Sequence, residues 1–98
     1  MLEFIGFLNM QEKYILDLIY RSNFSVIENA PACSLGKRFF GFLDKPSRTL
    51  VICTENAKNL SGKTISSIDA NDFSFASIYI RRALRHEAVH AAQLCNDW

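Results

Sequence analysis

The sequence has little histidine, little proline and no imbalance of charge. Of its 98 residues two are His, two are Pro, four are Gly and three are Cys. Eleven basic residues against ten acidic leave a net charge of +1. Nucleic-acid binding usually demands a basic excess on one face, so no nucleic-acid partner is expected. No apolar run approaches the ~18 residues of a membrane span, so no membrane partner is expected either. Cys33, Cys53 and Cys95 are odd in number and lack framework spacing. They read as reduced thiols, which implies a cytoplasmic location. The apolar start, Met1 to Leu8, contains Glu3 and has neither a basic leader nor a clear cleavage site. A secretory signal is therefore not expected.

What is present is apolar and aromatic: 49% of residues are hydrophobic, and eight are Phe. That composition and length predict one folded domain over residues 1–98. Asn9 followed by Glu12 is a capping-box signature, and it predicts a helix over Met10–Ser22 with Tyr14, Ile15, Leu18 and Ile19 on its apolar face. Phe24–Glu28 has the β-branched and aromatic content of a short strand, ended by Pro31. Lys37–Asp44 and Arg48–Thr54 predict a hairpin turning at Lys45-Pro46-Ser47. A helical turn is expected over Glu55–Leu60 and ends at Ser61-Gly62. From Phe73 to Leu94 nothing breaks a helix, and Asp69, Asn71 and Asp72 offer N-caps. On that helix Phe73, Ala76, Ile80, Leu84, Ala91 and Leu94 form an apolar stripe, with Arg81, Arg82 and Arg85 on an exposed face.

Both histidines are spent on one motif, His86-Glu87-Ala88-Val89-His90. Positions i and i+4 of a helix share a face, so the two imidazoles can reach one metal ion. Glu87 stands beside that ion, where a carboxylate can take a proton from metal-bound water. The alternative for Glu87 is an ion pair with a neighbouring Arg. Tyr79, two turns earlier, is a candidate hydrogen-bond donor to an intermediate, or simply a packing residue. Ser61-Gly62-Lys63-Thr64 contains Gly-Lys-Thr but lacks the glycine spacing of a phosphate loop, and reads as a turn.

The HExxH helix resembles the active-site helix of the zincin metallopeptidases, in a minimal or truncated gluzincin-like form. The resemblance implies an α+β fold: an N-terminal helix, a small antiparallel sheet with a hairpin, and a long C-terminal helix carrying the motif. It implies a Zn2+ cofactor held by His86 and His90, Glu87 as the catalytic base, and a peptide or protein as substrate. Zincins set an antiparallel edge strand above the active helix, and Arg48–Thr54 is the expected counterpart. The extended HExxHxxGxxH form is disfavoured, because Gln93 and Asn96 occupy the Gly and final-ligand positions. With the sequence ending at Trp98, no following helix is expected to supply a gluzincin Glu. The third-ligand candidates are Asp97, Cys95 and Cys33, the last inviting comparison with peptide deformylases, whose other motifs are absent. A second protomer can also supply that ligand, so a homodimer is a candidate assembly. The rival expectation is a shortened, inactive zincin-like scaffold that serves as a metal-binding or protein-interaction module.

Overall fold

A computed structural model describes residues 2–36, 39–64 and 74–94. Its elements are two short 3-10 turns, Glu3–Phe7 and Pro31–Leu35, the strands β1 (Ser25–Glu28), β2 (Gly41–Asp44) and β3 (Thr49–Ile52), and the helices α1 (Met10–Arg21), α2 (Thr54–Thr64) and α3 (Ser74–Leu94). The fold is α+β, with a long C-terminal helix carrying the motif.

The capping box is formed: the Asn9 side chain accepts from the Glu12 backbone N–H, and Glu12 accepts from that of Asn9. The buried face of α1 is rotated from the expected one. Glu12, Leu16 and Ile19 are buried, whereas Tyr14 is 61% exposed. The inward stripe therefore runs i, i+4, i+7 through a charged residue, which a search for apolar positions passes over.

The sheet order is β1-β3-β2. β2 and β3 form the expected hairpin, antiparallel with Phe42 opposite Val51 and Leu43 opposite Leu50. β1 joins the other side of β3 in parallel, so the sheet is mixed and not purely antiparallel. Thr49-Leu50-Val51-Ile52 suits the central place, because a strand covered on both faces is apolar at nearly every position. Leu50 and Ile52 face the main core with Ala76, Ile80, Leu84, Ala88 and Ala91 of α3. Val51 and Cys53 face the opposite side with Cys33 and Phe42.

Two expectations are corrected here. Cys33 and Cys53 are not thiols; they form a disulfide closing a separation of 20 residues. The helix at Glu55 does not stop at Ser61-Gly62 but runs to Thr64, with one flank against α3. A mid-helix Gly costs about 1 kcal/mol relative to Ala, which burial against a neighbouring helix readily offsets. The expected N-caps Asp69, Asn71 and Asp72, together with Phe73, lie outside the described residues. No described helix is long and apolar enough to cross a membrane.

Candidate metal centre

α3 sets the two imidazoles side by side. His86 Nε2 and His90 Nε2 are 3.2 Å apart, with ring centroids 4.8 Å apart and planes at 80°. In the right tautomers one ring can donate a hydrogen bond to the other. The same spacing suits a shared metal. Two nitrogens about 2.0–2.1 Å from a tetrahedral zinc ion stand about 3.3 Å apart. The donor set therefore fits two of the positions around zinc. The His86 side chain is 68% exposed, so the pair opens to solvent on one side.

Glu87 is the most sheltered of the three motif side chains. It is buried, with Oε2 4.0 Å from His86 Nε2. Burial pushes its carboxyl above the usual carboxylate range, and the positive character of His86 and His90 pulls it part of the way back. The ion pair considered for Glu87 is not found among the described residues. The nearby arginines are engaged elsewhere: Arg81 Nε donates to Glu12 Oε1 at 2.7 Å, and Arg85 Nε donates to Glu12 Oε2 at 3.0 Å. Arg85 Nη2 bonds the same oxygen. Arg81 and Arg85 lie on the exposed side of α3 as expected, 37% and 52% exposed, yet both are paired. They tie the middle of α3 to the start of α1, and Glu12 is the partner that sequence reasoning missed. The capping box marked Glu12 as an N-terminal residue of α1, but nothing local marks a partner some 70 residues away.

A cleft of about 670 Å³ opens next to Glu87. One wall is Phe39, Phe40 and Gly41, at and just before the start of β2. The other is Tyr79, Arg82, Ala83, His86 and Glu87 on α3, with Leu60 of α2 completing it. Tyr79 lies flat on Phe40, with centroids 4.9 Å apart and planes at 8°, so its ring serves as packing at the cleft wall. Gly41 permits the close approach of strand and helix. A Cβ there would lie 3.1 Å from the Val51 carbonyl oxygen and 3.3 Å from the Ala83 Cβ. Among the described residues β2 pairs only with β3 and leaves one edge free, whereas β3 is paired on both sides. The expectation that Arg48–Thr54 forms the edge above the active helix is thus corrected; the edge beside the cleft belongs to β2. Proximity of Phe39 and Phe40 to the motif was not legible, since it depends on how the hairpin crosses α3.

The third-ligand candidates separate. Cys33 is in the disulfide, on the face of the sheet opposite α3, and is not brought to the histidines. Cys95 and Asp97 lie outside the described residues. Among the described residues no third His, Cys, Asp or Glu joins the pair in a metal-holding group.

The chain matches no curated protein and no solved structure. Residues 4–98 match the family model described as Domain of unknown function (DUF8637), a span that takes in the motif, the cleft and the whole sheet, and the chain belongs to that family.

Proposed function

We propose that this chain is a zinc-dependent metallopeptidase-like protein that hydrolyses peptide bonds. One observation carries the reading: two imidazole nitrogens 3.2 Å apart, with a buried carboxylate beside them, at a cleft next to a free strand edge. His86 and His90 would hold the ion through Nε2. The third ligand would come from Asp97, Cys95 or a second protomer. Zinc, when bound, supplies a Lewis acid and lowers the pKa of water. Glu87 then acts through its carboxylate, taking the proton of the attacking water and passing it to the leaving amine. Burial that raises the Glu87 carboxyl above its ordinary range makes it a better proton acceptor from water, in keeping with the base role. The free edge of β2 offers backbone N–H and C=O groups to an extended peptide.

The cytoplasmic placement rested on reduced thiols and loses that support, because a buried disulfide persists best in oxidising surroundings.

Metal analysis of the purified protein at neutral pH tests the reading. Stoichiometric zinc is expected, and it should fall to background in His86→Ala and His90→Ala. With zinc retained, Glu87→Gln should abolish peptide hydrolysis. A protein that takes up no stoichiometric zinc, or a Glu87 variant as active as the parent, overturns the proposal. Zinc uptake without hydrolysis by the parent would leave the scaffold reading in its place.

A further inference from the structure

The cleft holds one cation that nothing else in the described residues claims. Arg81, Arg82 and Arg85 follow one another on α3, but Arg81 and Arg85 are bound to Glu12. Arg82 lines the cleft and has no acidic partner within 4.0 Å among the described residues. Toward β2 the cleft presents apolar, flat surface, with Phe39, Phe40 stacked on Tyr79, and Leu60, while His86 and Glu87 lie further along Arg82's own wall. Arg82 stands four residues before His86, so it shares the histidine's side of the helix about 6 Å along the axis. An extended peptide covers that distance in about two residues. A guanidinium on an exposed rim beside aromatic walls favours a carboxylate, which it can grip with two parallel hydrogen bonds.

We propose that the cleft selects peptides carrying a carboxylate within about two residues of the cleaved bond, next to a large apolar or aromatic side chain, with Arg82 as the specificity-determining residue. The proposal rests on the hydrolytic reading above for its catalytic consequence, but recognition itself does not require turnover. The carboxylate can belong to a Glu or Asp side chain or to the C-terminus of the peptide. An Arg pair at a partly exposed site is worth a few-fold in affinity, rising when water is excluded.

The test uses the full-length protein loaded with zinc, and two kinds of variant, Arg82→Gln and Arg82→Glu. Fluorescent hexapeptides with a central Phe are compared in sets that differ by Glu, Gln or Lys at neighbouring positions, each with a free and an amidated C-terminus. Binding is read by anisotropy and cleavage by kcat/KM. The parent should favour a carboxylate-bearing peptide by about three- to tenfold, and added salt should erode the preference. Arg82→Gln should abolish the preference while leaving zinc content unchanged, and Arg82→Glu should turn it toward Lys. Loss of preference on amidation assigns the carboxylate to the C-terminus; its persistence assigns it to the side chain. Equal binding of Glu, Gln and Lys peptides by the parent, or a preference that survives Arg82→Gln, overturns the proposal. If no peptide is cleaved yet the Arg82-dependent binding preference stands, the hydrolytic reading fails and the recognition inference holds.

Discussion

Removing the Glu12 carboxylate should cost more stability than removing any other charged side chain that forms a salt bridge in the described part of the chain. Its side chain is fully buried, yet it accepts from the Asn9 backbone N–H at 3.0 Å, Arg81 Nε at 2.7 Å and two nitrogens of Arg85. Breaking a buried ion pair typically costs about 3–5 kcal/mol, because a charge is stranded. Here the stranded partners are the Arg81 and Arg85 side chains, 37% and 52% exposed, and water can solvate them again. Allowing for that recovery, and for one lost cap bond, Glu12→Ala should cost about 2 kcal/mol, or roughly 10 °C in Tm for a chain of this size. Glu12→Gln, which keeps an acceptor, should cost about half as much. Acid supplies a second readout. Burial alone would raise the Glu12 carboxyl, but the hydrogen bonds from Asn9, Arg85 and Arg81 outweigh it and hold the carboxyl below its usual range. A depressed pKa means that the stabilisation is complete above the ordinary Glu value, and is lost as pH falls from there through the lower folded value. The gap between the parent and Glu12→Gln should therefore be constant near neutrality and shrink below about pH 4.5. Urea melts at a series of pH values measure it. A neutral-pH gap under about 0.3 kcal/mol, or one that does not narrow in acid, refutes the reasoning. The exposed Asp17–Arg21 pair is the control, and Asp17→Asn should change stability by less than about 0.5 kcal/mol.

Reduction of the Cys33–Cys53 disulfide, or its replacement by serines, should cost about 3 kcal/mol, as expected for a closed loop spanning 20 residues; urea melts with and without dithiothreitol check this. Gly41→Val should destabilise by about 2 kcal/mol and Gly41→Ala by less, because the added carbon meets a backbone oxygen at 3.1 Å. Both should lower any peptide hydrolysis before zinc content changes, since the strain falls between β2 and Ala83. The Asn56 Nδ2 group donates to the carbonyls of Cys33, Gly36 and Phe39 at 2.8, 3.1 and 2.9 Å. Asn56→Ala should cost about 2 kcal/mol, and Asn56→Asp more, because a carboxylate would face those same oxygens. Thermal melts at neutral pH compare the two.

Features set by near neighbours were legible in the sequence, and features set by distant ones were not. The capping box, the hairpin and the motif helix each depend on residues within a few positions of one another, so pattern alone places them. The parallel pairing of β1 with β3 joins segments separated by the Pro31–Leu35 turn and by β2, and no turn signal specifies it. Glu12 looked like a cap and nothing more, because its arginine partners lie 69 and 73 residues away. The odd number of cysteines hid a pair that the fold brings together across the far face of the sheet. Pairing of the histidines needed only the helical period, whereas the cleft beside them needed the strand order.

The disulfide has a consequence for how the cleft comes apart. The ring it closes, residues 33–53, contains Phe39, Phe40, Gly41, β2 and β3, so one lip of the cleft is part of a covalent loop. The lip bearing His86, Glu87 and His90 lies outside that loop, on a helix held by its core stripe and by the arginine pairs to Glu12. Opening of the helix can thus precede loss of the ring, as neighbouring cooperative units in one domain often differ in stability. Amide hydrogen exchange should show protection lingering in β2 and β3 after it has gone from α3, and heat or acid would then disarm the site while leaving its far wall folded.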